Sequence, residues 1–173
     1  LLSLLFAMLA GWAFWEGEFG WGLLLGWLMT FLDTVDGKLA RVTLTSSKIG
    51  DILDHGLDIV HPPLWYWAWG LGVMTTVTPL AELEWLVGLM FLGYIGGRFC
   101  EGAFQLWLAP FDLFIWRKVD SFNRLITARR NPNLLLLTAG WMAGRPDIGL
   151  ILVVAWHLAS TLILTIRLMM AWR

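Results

Sequence analysis

Long apolar stretches follow one another along the chain and are separated by short polar segments. Hydrophobic residues make up 58% of the 173 residues and charged residues only 14%, whereas the apolar share of soluble domains is about 45–50%. A membrane-crossing helix needs about 20 apolar residues. The chain is therefore too apolar for an ordinary soluble domain. Its length predicts an all-α, polytopic membrane protein with about six transmembrane helices in one domain, residues 1–173.

Five of the six predicted spans are well delimited. They cover residues 1–15, 20–41, 49–73, 85–108 and 148–172. Leu1 has no initiator methionine and no basic flank before it, so we expect the chain to begin inside a helix, with a further segment upstream. Pro62 and Pro63 predict a kink in the third span.

The fifth span, in chain order, is ambiguous. Asn131-Pro132 predicts a helix start, yet Arg145-Pro146 ends the run after about a dozen residues, which is too short to span alone at about 1.5 Å per residue. The helix therefore either continues upstream through Leu125 or enters the membrane only partly.

Basic side chains occupy alternate loops. They are Arg41 and Lys48, then Arg117, Lys118, Arg124, Arg129 and Arg130, and finally Arg173. The intervening loops are acidic or mixed, with Glu16 and Glu18, Glu82 and Glu84, and Arg145 with Asp147. The positive-inside rule predicts that both termini and the loop after the second span face the cytoplasm. The expected location is a bacterial inner membrane.

Three further features have structural interpretations. The 13 tryptophans are interpreted as interfacial belts and lipid contacts. Gly93 and Gly97 predict close helix packing, within one chain or between the subunits of a homodimer. Cys100 is the only cysteine, which excludes an internal disulfide and a cysteine-rich metal site.

Four carboxylates cluster on the second and third spans. Asp33 and Asp36 are three residues apart and Asp54 and Asp58 four apart, so each pair shares a helical face. Ionisable residues in or at the rim of a membrane are costly and are candidates for function. Carboxylates this close repel one another unless they bind protons or cations. Oxygen donors suit magnesium, manganese or calcium, and two such ions commonly clamp a transferred phosphoryl group.

Small residues and one arginine separate the two acidic pairs. They are Gly37, Ala40, Arg41 and Gly50. Small side chains let a ligand approach the backbone, and arginine binds phosphate oxygens through two hydrogen bonds. The combination predicts a diphosphate site with metal.

The complete pattern is Asp33-x2-Asp36-Gly37-x2-Ala40-Arg41-x8-Gly50-x3-Asp54-x3-Asp58. It resembles the signature of the CDP-alcohol phosphatidyltransferase family at every defining position, and eight fixed residues are far more specific than a short motif. Family members usually carry a polar segment and an amphipathic stretch before the first span. Neither segment precedes the first span in this sequence, as expected if the chain is part of a longer protein, and an upstream fused domain is one alternative.

The resemblance implies a role for each motif residue. Asp33, Asp36 and Asp54 would bind two Mg²⁺ or Mn²⁺ ions, and Asp58 would help to hold them and deprotonate the acceptor hydroxyl. Gly37, Ala40 and Gly50 would shape the cytidine nucleotide pocket, with Arg41 near the diphosphate. The acceptor oxygen would attack the phosphorus that carries the lipid or alcohol, and CMP would leave, a transfer governed by positioning and charge neutralisation.

The basic segment between the fourth and fifth spans is the candidate for acceptor recognition. Arg124, Arg129 and Arg130 either contact anionic headgroups or bind the acceptor, with Arg129 and Arg130 gripping a phosphate at a helix N-terminus. In the second case the acceptor is a phosphorylated alcohol, such as glycerol phosphate or inositol phosphate, and not serine.

For the other ionisable residues near the motif, a structural role is the favoured interpretation. Asp51 could join the metal shell but also suits a helix start. His61 could orient Asp58, whereas His55 and His157 have less claim to function.

Two functions of other classes stay open. A cation transporter or channel could use the same carboxylates, and a scaffold could retain the motif as a relic. Within the enzyme class, the donor is either CDP-diacylglycerol or a similar CDP-lipid, or a CDP-linked headgroup with a lipid alcohol as acceptor. Membrane lipids are expected partners and nucleic acids are not.

Overall fold

The computed structural model describes the backbone of residues 2–43 and 48–172, and the side chains of these residues except 37, 39–43, 48–55 and 57. Within these ranges the chain is all-α, as predicted, with no strand. It forms seven α-helices: α1 (Leu2–Trp15), α2 (Phe19–Thr43), α3 (Lys48–Thr76), α4 (Leu83–Trp107), α5 (Lys118–Ile126), α6 (Arg130–Met142) and α7 (Pro146–Trp172). A single 3₁₀ turn, Leu113–Ile115, precedes α5.

Six of these helices coincide with the six apolar stretches, and α5 is an additional short helix. Among the described helices, α4 and α7 are long and apolar enough to cross a membrane. The six-span layout as a whole stays a prediction.

The fifth apolar stretch forms a helix of 13 residues, α6. It does not continue upstream through Leu125, because the backbone is non-helical at Thr127 and extended at Arg129. Ala128, between them, donates its backbone N–H to Ser160 Oγ of α7 at 3.0 Å. The helix begins at Arg130, so Pro132 lies in the first turn, where the missing N–H costs no helical hydrogen bond. At about 1.5 Å per residue α6 is about 20 Å long, shorter than a hydrocarbon core of about 30 Å.

The core lies where α1, α2, α3, α6 and α7 meet, and tryptophans of α3 fill much of it. Trp65 and Trp69, one helical turn apart, are 2% and 0% exposed. Their indole N–H groups donate to Ala7 O at 2.8 Å and to Pro146 O at 2.9 Å. The interpretation of the tryptophans as lipid contacts is therefore wrong for these two, because the i, i+4 spacing places both on the inward face of α3.

The Gly93 and Gly97 pair lies within the chain, where α4 packs along α7. A Cβ on Gly93 would lie 2.8 Å from His157 Cβ, and one on Gly97 would lie 3.3 Å from Thr161 Oγ1. The absent side chains allow the two helices to approach closely, as small residues do between membrane helices.

The loops after α1, α3 and α6 gather at one end of the bundle. A Cβ on Gly72, near the end of α3, would lie 3.0 Å from Gly17 Cα in the first loop, and Gly17 has a φ of 78°, which glycine adopts without strain. The N–H of Leu80, after α3, donates to Asp147 Oδ2 at 3.3 Å. The predicted site residues lie towards the opposite end of α2 and α3.

Candidate active site

Arg130 joins the two acidic helices. Its Nη2 donates to Asp33 Oδ2 at 2.7 Å and its Nη1 to Asp58 Oδ1 at 2.9 Å. The three side chains come from α6, α2 and α3, and those of Arg130 and Asp33 are each 15% exposed whereas that of Asp58 is 41% exposed. Two carboxylates 25 residues apart in the chain thus face one guanidinium group.

The remaining motif residues are only partly described. Asp36 lies one turn beyond Asp33 on α2 and is exposed. The side chains of the other predicted site residues lie outside the described ones, and so do those of Asp51 and His55. These site residues are Gly37, Ala40, Arg41, Gly50 and Asp54. Their roles stay predictions.

The backbone beside Asp58 is held by a hydrogen bond between two helices. α3 runs through Pro62 and Pro63, and Pro63 has no N–H to donate to the carbonyl of Ile59, four residues earlier. The hydroxyl of Tyr94, on α4, donates to Ile59 O at 2.6 Å instead. α4 thereby supplies the hydrogen bond that α3 lacks, one residue after Asp58.

A cavity of about 420 Å³ opens beside Asp58. Four arginines line it, namely Arg98, Arg124, Arg129 and Arg130, together with Tyr94 and Pro132. Four guanidinium groups and one carboxylate line the cavity. Glu101 and Asp33 pair with three of these arginines from outside the lining, so four positive charges face three negative ones and the remaining balance favours an anionic ligand. The three arginines predicted to recognise the acceptor thus line one cavity with the predicted base.

Glu101 fixes two of these arginines. Arg98 Nη2 donates to Glu101 Oε1 at 2.7 Å, and Arg129 Nη2 donates to Glu101 Oε2 at 3.0 Å. The Arg129 guanidinium also stacks 4.8 Å from the ring centroid of Phe114. Sequence reasoning did not include Arg98 in the site. A charge within an apolar helix is the signal that could have identified it, as it did the aspartates.

A buried polar network supports α6 one turn after Arg130. Asn133 Nδ2 donates to Tyr66 Oη at 2.9 Å and lies 3.3 Å from His157 Nε2. His157 Nδ1 lies 2.9 Å from Val153 O, which can only accept, so the ring proton belongs on Nδ1 and Nε2 accepts from Asn133. His157 is thus part of the packing, as expected, whereas Asn133 could not be singled out from the sequence.

His61 also lies near the carboxylates. It packs against Trp65 with ring centroids 4.8 Å apart and lines a cavity of about 20 Å³ with Asp33 and Asp58. This placement fits the favoured structural role and keeps His61 close to the predicted base.

The carboxylates fit a divalent cation. Asp33 and Asp58 supply only oxygen donors, they already converge on a positive group, and hard cations prefer such ligands. No group of three or more His, Cys, Asp or Glu side chains that could hold a metal is found in the described part of the chain, to which the side chain of Asp54 does not belong.

Comparison with protein families gives an independent result. The family model described as CDP-alcohol phosphatidyltransferase matches residues 1–110, which include α1 to α4 and the whole aspartate motif. The chain therefore belongs to the CDP-alcohol phosphatidyltransferase family. Searches of the curated proteins and of the solved structures give no significant match.

Family membership defines the general activity. Members are membrane enzymes of phospholipid biosynthesis that transfer a phosphatidyl group from a CDP-alcohol to an acceptor alcohol, generally with divalent metal. Family membership therefore favours the transferase function over the alternatives of a cation transporter, a channel or a scaffold. The match ends before α5, so Arg124, Arg129 and Arg130 lie outside the region that it covers.

Proposed function

We propose that this protein transfers the substituted phosphate of a CDP-lipid, such as CDP-diacylglycerol, to the hydroxyl of a phosphorylated alcohol of the glycerol phosphate or inositol phosphate type. The observation that carries the proposal is the cavity lined by four arginines next to Asp58. An acceptor with its own phosphate would satisfy this positive lining, whereas serine or free glycerol would not.

The lining suits a phosphate in two further respects. Arginine binds phosphate oxygens through paired hydrogen bonds, and the Arg98 and Arg129 side chains are already held by Glu101, which limits the entropy lost on binding. The first turn of α6 begins at Arg130, and the N–H groups of a helix N-terminus favour an anion.

The aspartates have separate roles in this proposal. Asp33, Asp36 and Asp54 would hold two Mg²⁺ or Mn²⁺ ions together with Asp58, and such ions would supply positive charge against the diphosphate. Gly37, Ala40 and Gly50 leave room for the cytidine nucleotide, and Arg41 binds its diphosphate.

Asp58 is the general base, because its side chain lines the cavity and is the more exposed of the two carboxylates bound to Arg130. It takes the proton of the acceptor hydroxyl as the oxygen bonds to the lipid-bearing phosphorus. The bond from that phosphorus to the oxygen of the departing nucleotide breaks, and CMP leaves with the electron pair.

The proposed placement is a multi-pass inner-membrane protein of a bacterium with the site facing the cytoplasm. Two observations support it. The acidic or mixed loops after α1, α3 and α6 lie at one end of the bundle, and the site residues lie towards the other, where the basic segments belong.

The test is a CMP-release assay on the purified protein with CDP-diacylglycerol and Mg²⁺. Glycerol 3-phosphate and inositol phosphate are compared with glycerol, inositol and serine, so that each phosphorylated acceptor has a matched acceptor without phosphate. CMP release should require a phosphorylated acceptor. Equal release with serine or free glycerol would contradict the acceptor class, and cation flux in liposomes without CMP release would favour a transporter.

Single substitutions test the role proposed for each residue. Asp58→Asn should lower the rate by about 10²–10⁴-fold, the usual contribution of a general base. Arg124→Gln should raise KM for the phosphorylated acceptor by about tenfold, because a hydrogen bond from a charged group is worth about 1.5–3 kcal/mol. An unchanged KM in both Arg124→Gln and Arg129→Gln would remove the acceptor role of this segment.

A further inference from the structure

Arg130 occupies the position between Asp33 and Asp58 where a shared cation would bind. Its two Nη atoms lie 2.7 Å and 2.9 Å from one oxygen of each carboxylate. Asp33 and Arg130 are each only 15% exposed, and a partly buried carboxylate without a positive partner is strongly disfavoured. The guanidinium thus neutralises the pair from within the protein.

The same guanidinium also lines the cavity of four arginines. It therefore binds the carboxylates of α2 and α3 and also faces the cavity, whose positive lining would attract an anion. A divalent cation at the carboxylates would repel Arg130, and an anion in the cavity would attract it. Both ligands therefore shift Arg130 in the same direction.

We propose that Arg130 and a divalent cation compete for Asp33 and Asp58, so that binding of a phosphate in the cavity strengthens binding of the metal. This inference rests on the metal role of the aspartates in the proposed function. Since coupling between two binding sites is reciprocal, the metal must strengthen phosphate binding by the same factor. The metal site would therefore fill most readily when the acceptor is present.

The experiment is a titration of the purified full chain with Mn²⁺, in which free Mn²⁺ is followed by its EPR signal, without and with glycerol 3-phosphate. The wild type is compared with Arg130→Gln and with Arg124→Gln. Arg124 is the matched control because it lines the same cavity and carries the same charge, but no ion pair joins it to Asp33 or Asp58 among the described contacts.

Competition predicts that Arg130→Gln binds Mn²⁺ about tenfold more tightly than the wild type, within the usual range of coupling between sites. Arg124→Gln should change the affinity by less than about threefold, since its charge acts only at longer range through a screened medium. Glycerol 3-phosphate should tighten Mn²⁺ binding in the wild type, and this effect should be lost in Arg130→Gln.

Three outcomes would overturn the inference. Equal Mn²⁺ affinities for the wild type and Arg130→Gln would show that Arg130 does not compete, while leaving the metal site in place. Persistence of the phosphate effect in Arg130→Gln would show that phosphate acts on the metal by another route. Absence of Mn²⁺ binding in every form would remove the metal site itself and the inference with it. The phosphate effect in the wild type needs no variant, so Mn²⁺ binding that is unchanged by glycerol 3-phosphate would also contradict the inference even if Arg130→Gln folds poorly.

Discussion

The carbonyl oxygen of Ile59 depends on a residue from another helix for its hydrogen bond. Pro63 cannot supply an N–H, and Tyr94 donates its hydroxyl proton in its place. A carbonyl that loses its donor costs free energy unless water replaces that donor. The position of the backbone next to Asp58 is therefore tied to α4, the helix that also carries Arg98 into the cavity.

A double-mutant cycle tests this dependence. Tyr94→Phe should lower the free energy of unfolding by about 1–3 kcal/mol in the wild type, because it leaves the Ile59 carbonyl without a donor. In a Pro63→Ala background the new backbone N–H can bond to Ile59 O, so the same change should cost much less. The measurement is unfolding in mixed detergent micelles, and an equal loss in both backgrounds would contradict the explanation.

Helical spacing predicts that Asp33 and Asp36 share one face of α2, and it makes the same prediction for Asp58 and Asp54, whose side chain lies outside the described ones. It could not predict that Arg130 joins Asp33 to Asp58, because these contacts span 97 and 72 residues of sequence. Such a contact depends on how α6 packs against α2 and α3. Periodicity within a single helix contains no information about that packing.

At the level of the elements, the contact between α4 and α7 sets how closely two helices of the bundle approach. Gly93 meets the backbone and Cβ of His157, whereas Gly88, on the same helix, has open space at the position of a Cβ. The two glycines thus occupy the same kind of backbone in different surroundings, which makes them a matched pair for mutation.

Gly93→Ala should destabilise the protein by about 1–3 kcal/mol, because the added methyl group overpacks the interface. Gly88→Ala should be neutral or stabilise it by up to about 1 kcal/mol, since alanine favours the helix and meets no neighbour. Thermal unfolding of the two variants in the same detergent checks the difference. Destabilisation of equal size in both would show that the contact with His157 does not matter.

Helices were predictable where the sequence contains an apolar run, and one was missed where the sequence is polar. The stretches that became α1 to α4 and α7 were located from hydrophobicity alone. α5 was not anticipated, because its sequence is polar and charged and its position depends on a distant partner: Asp120 is fully buried against Arg167 of α7, with oxygen to nitrogen distances of 2.6 and 2.7 Å.

For the whole molecule, the two ends of the bundle differ in charge. The loops after α1, α3 and α6 meet at one end, and the basic segment around α5 is separated from them by the length of α6. This arrangement supports the predicted orientation, since alternate loops should lie on opposite sides of a membrane.

Cysteine labelling tests the orientation. In a Cys100→Ala background, Glu82→Cys should react with a membrane-impermeant maleimide added to intact bacterial cells, whereas Lys118→Cys should react only after the membrane is opened. Both positions lie outside the candidate spans α4 and α7: Glu82 directly precedes α4, and Lys118 begins α5. Labelling of both from the same side would contradict the alternation.

The shortness of α6 has a consequence for how the two substrates meet. If the turn at residues 143–145 lies level with the headgroups of one leaflet, a helix of 13 residues places Arg130 and its two carboxylates about 20 Å away, some 10 Å short of the opposite edge of the hydrocarbon core. A donor lipid could then react without leaving its leaflet. The water-soluble acceptor would have to enter the bilayer by about that distance to reach the site. The rate of transfer should therefore depend on the thickness of the bilayer.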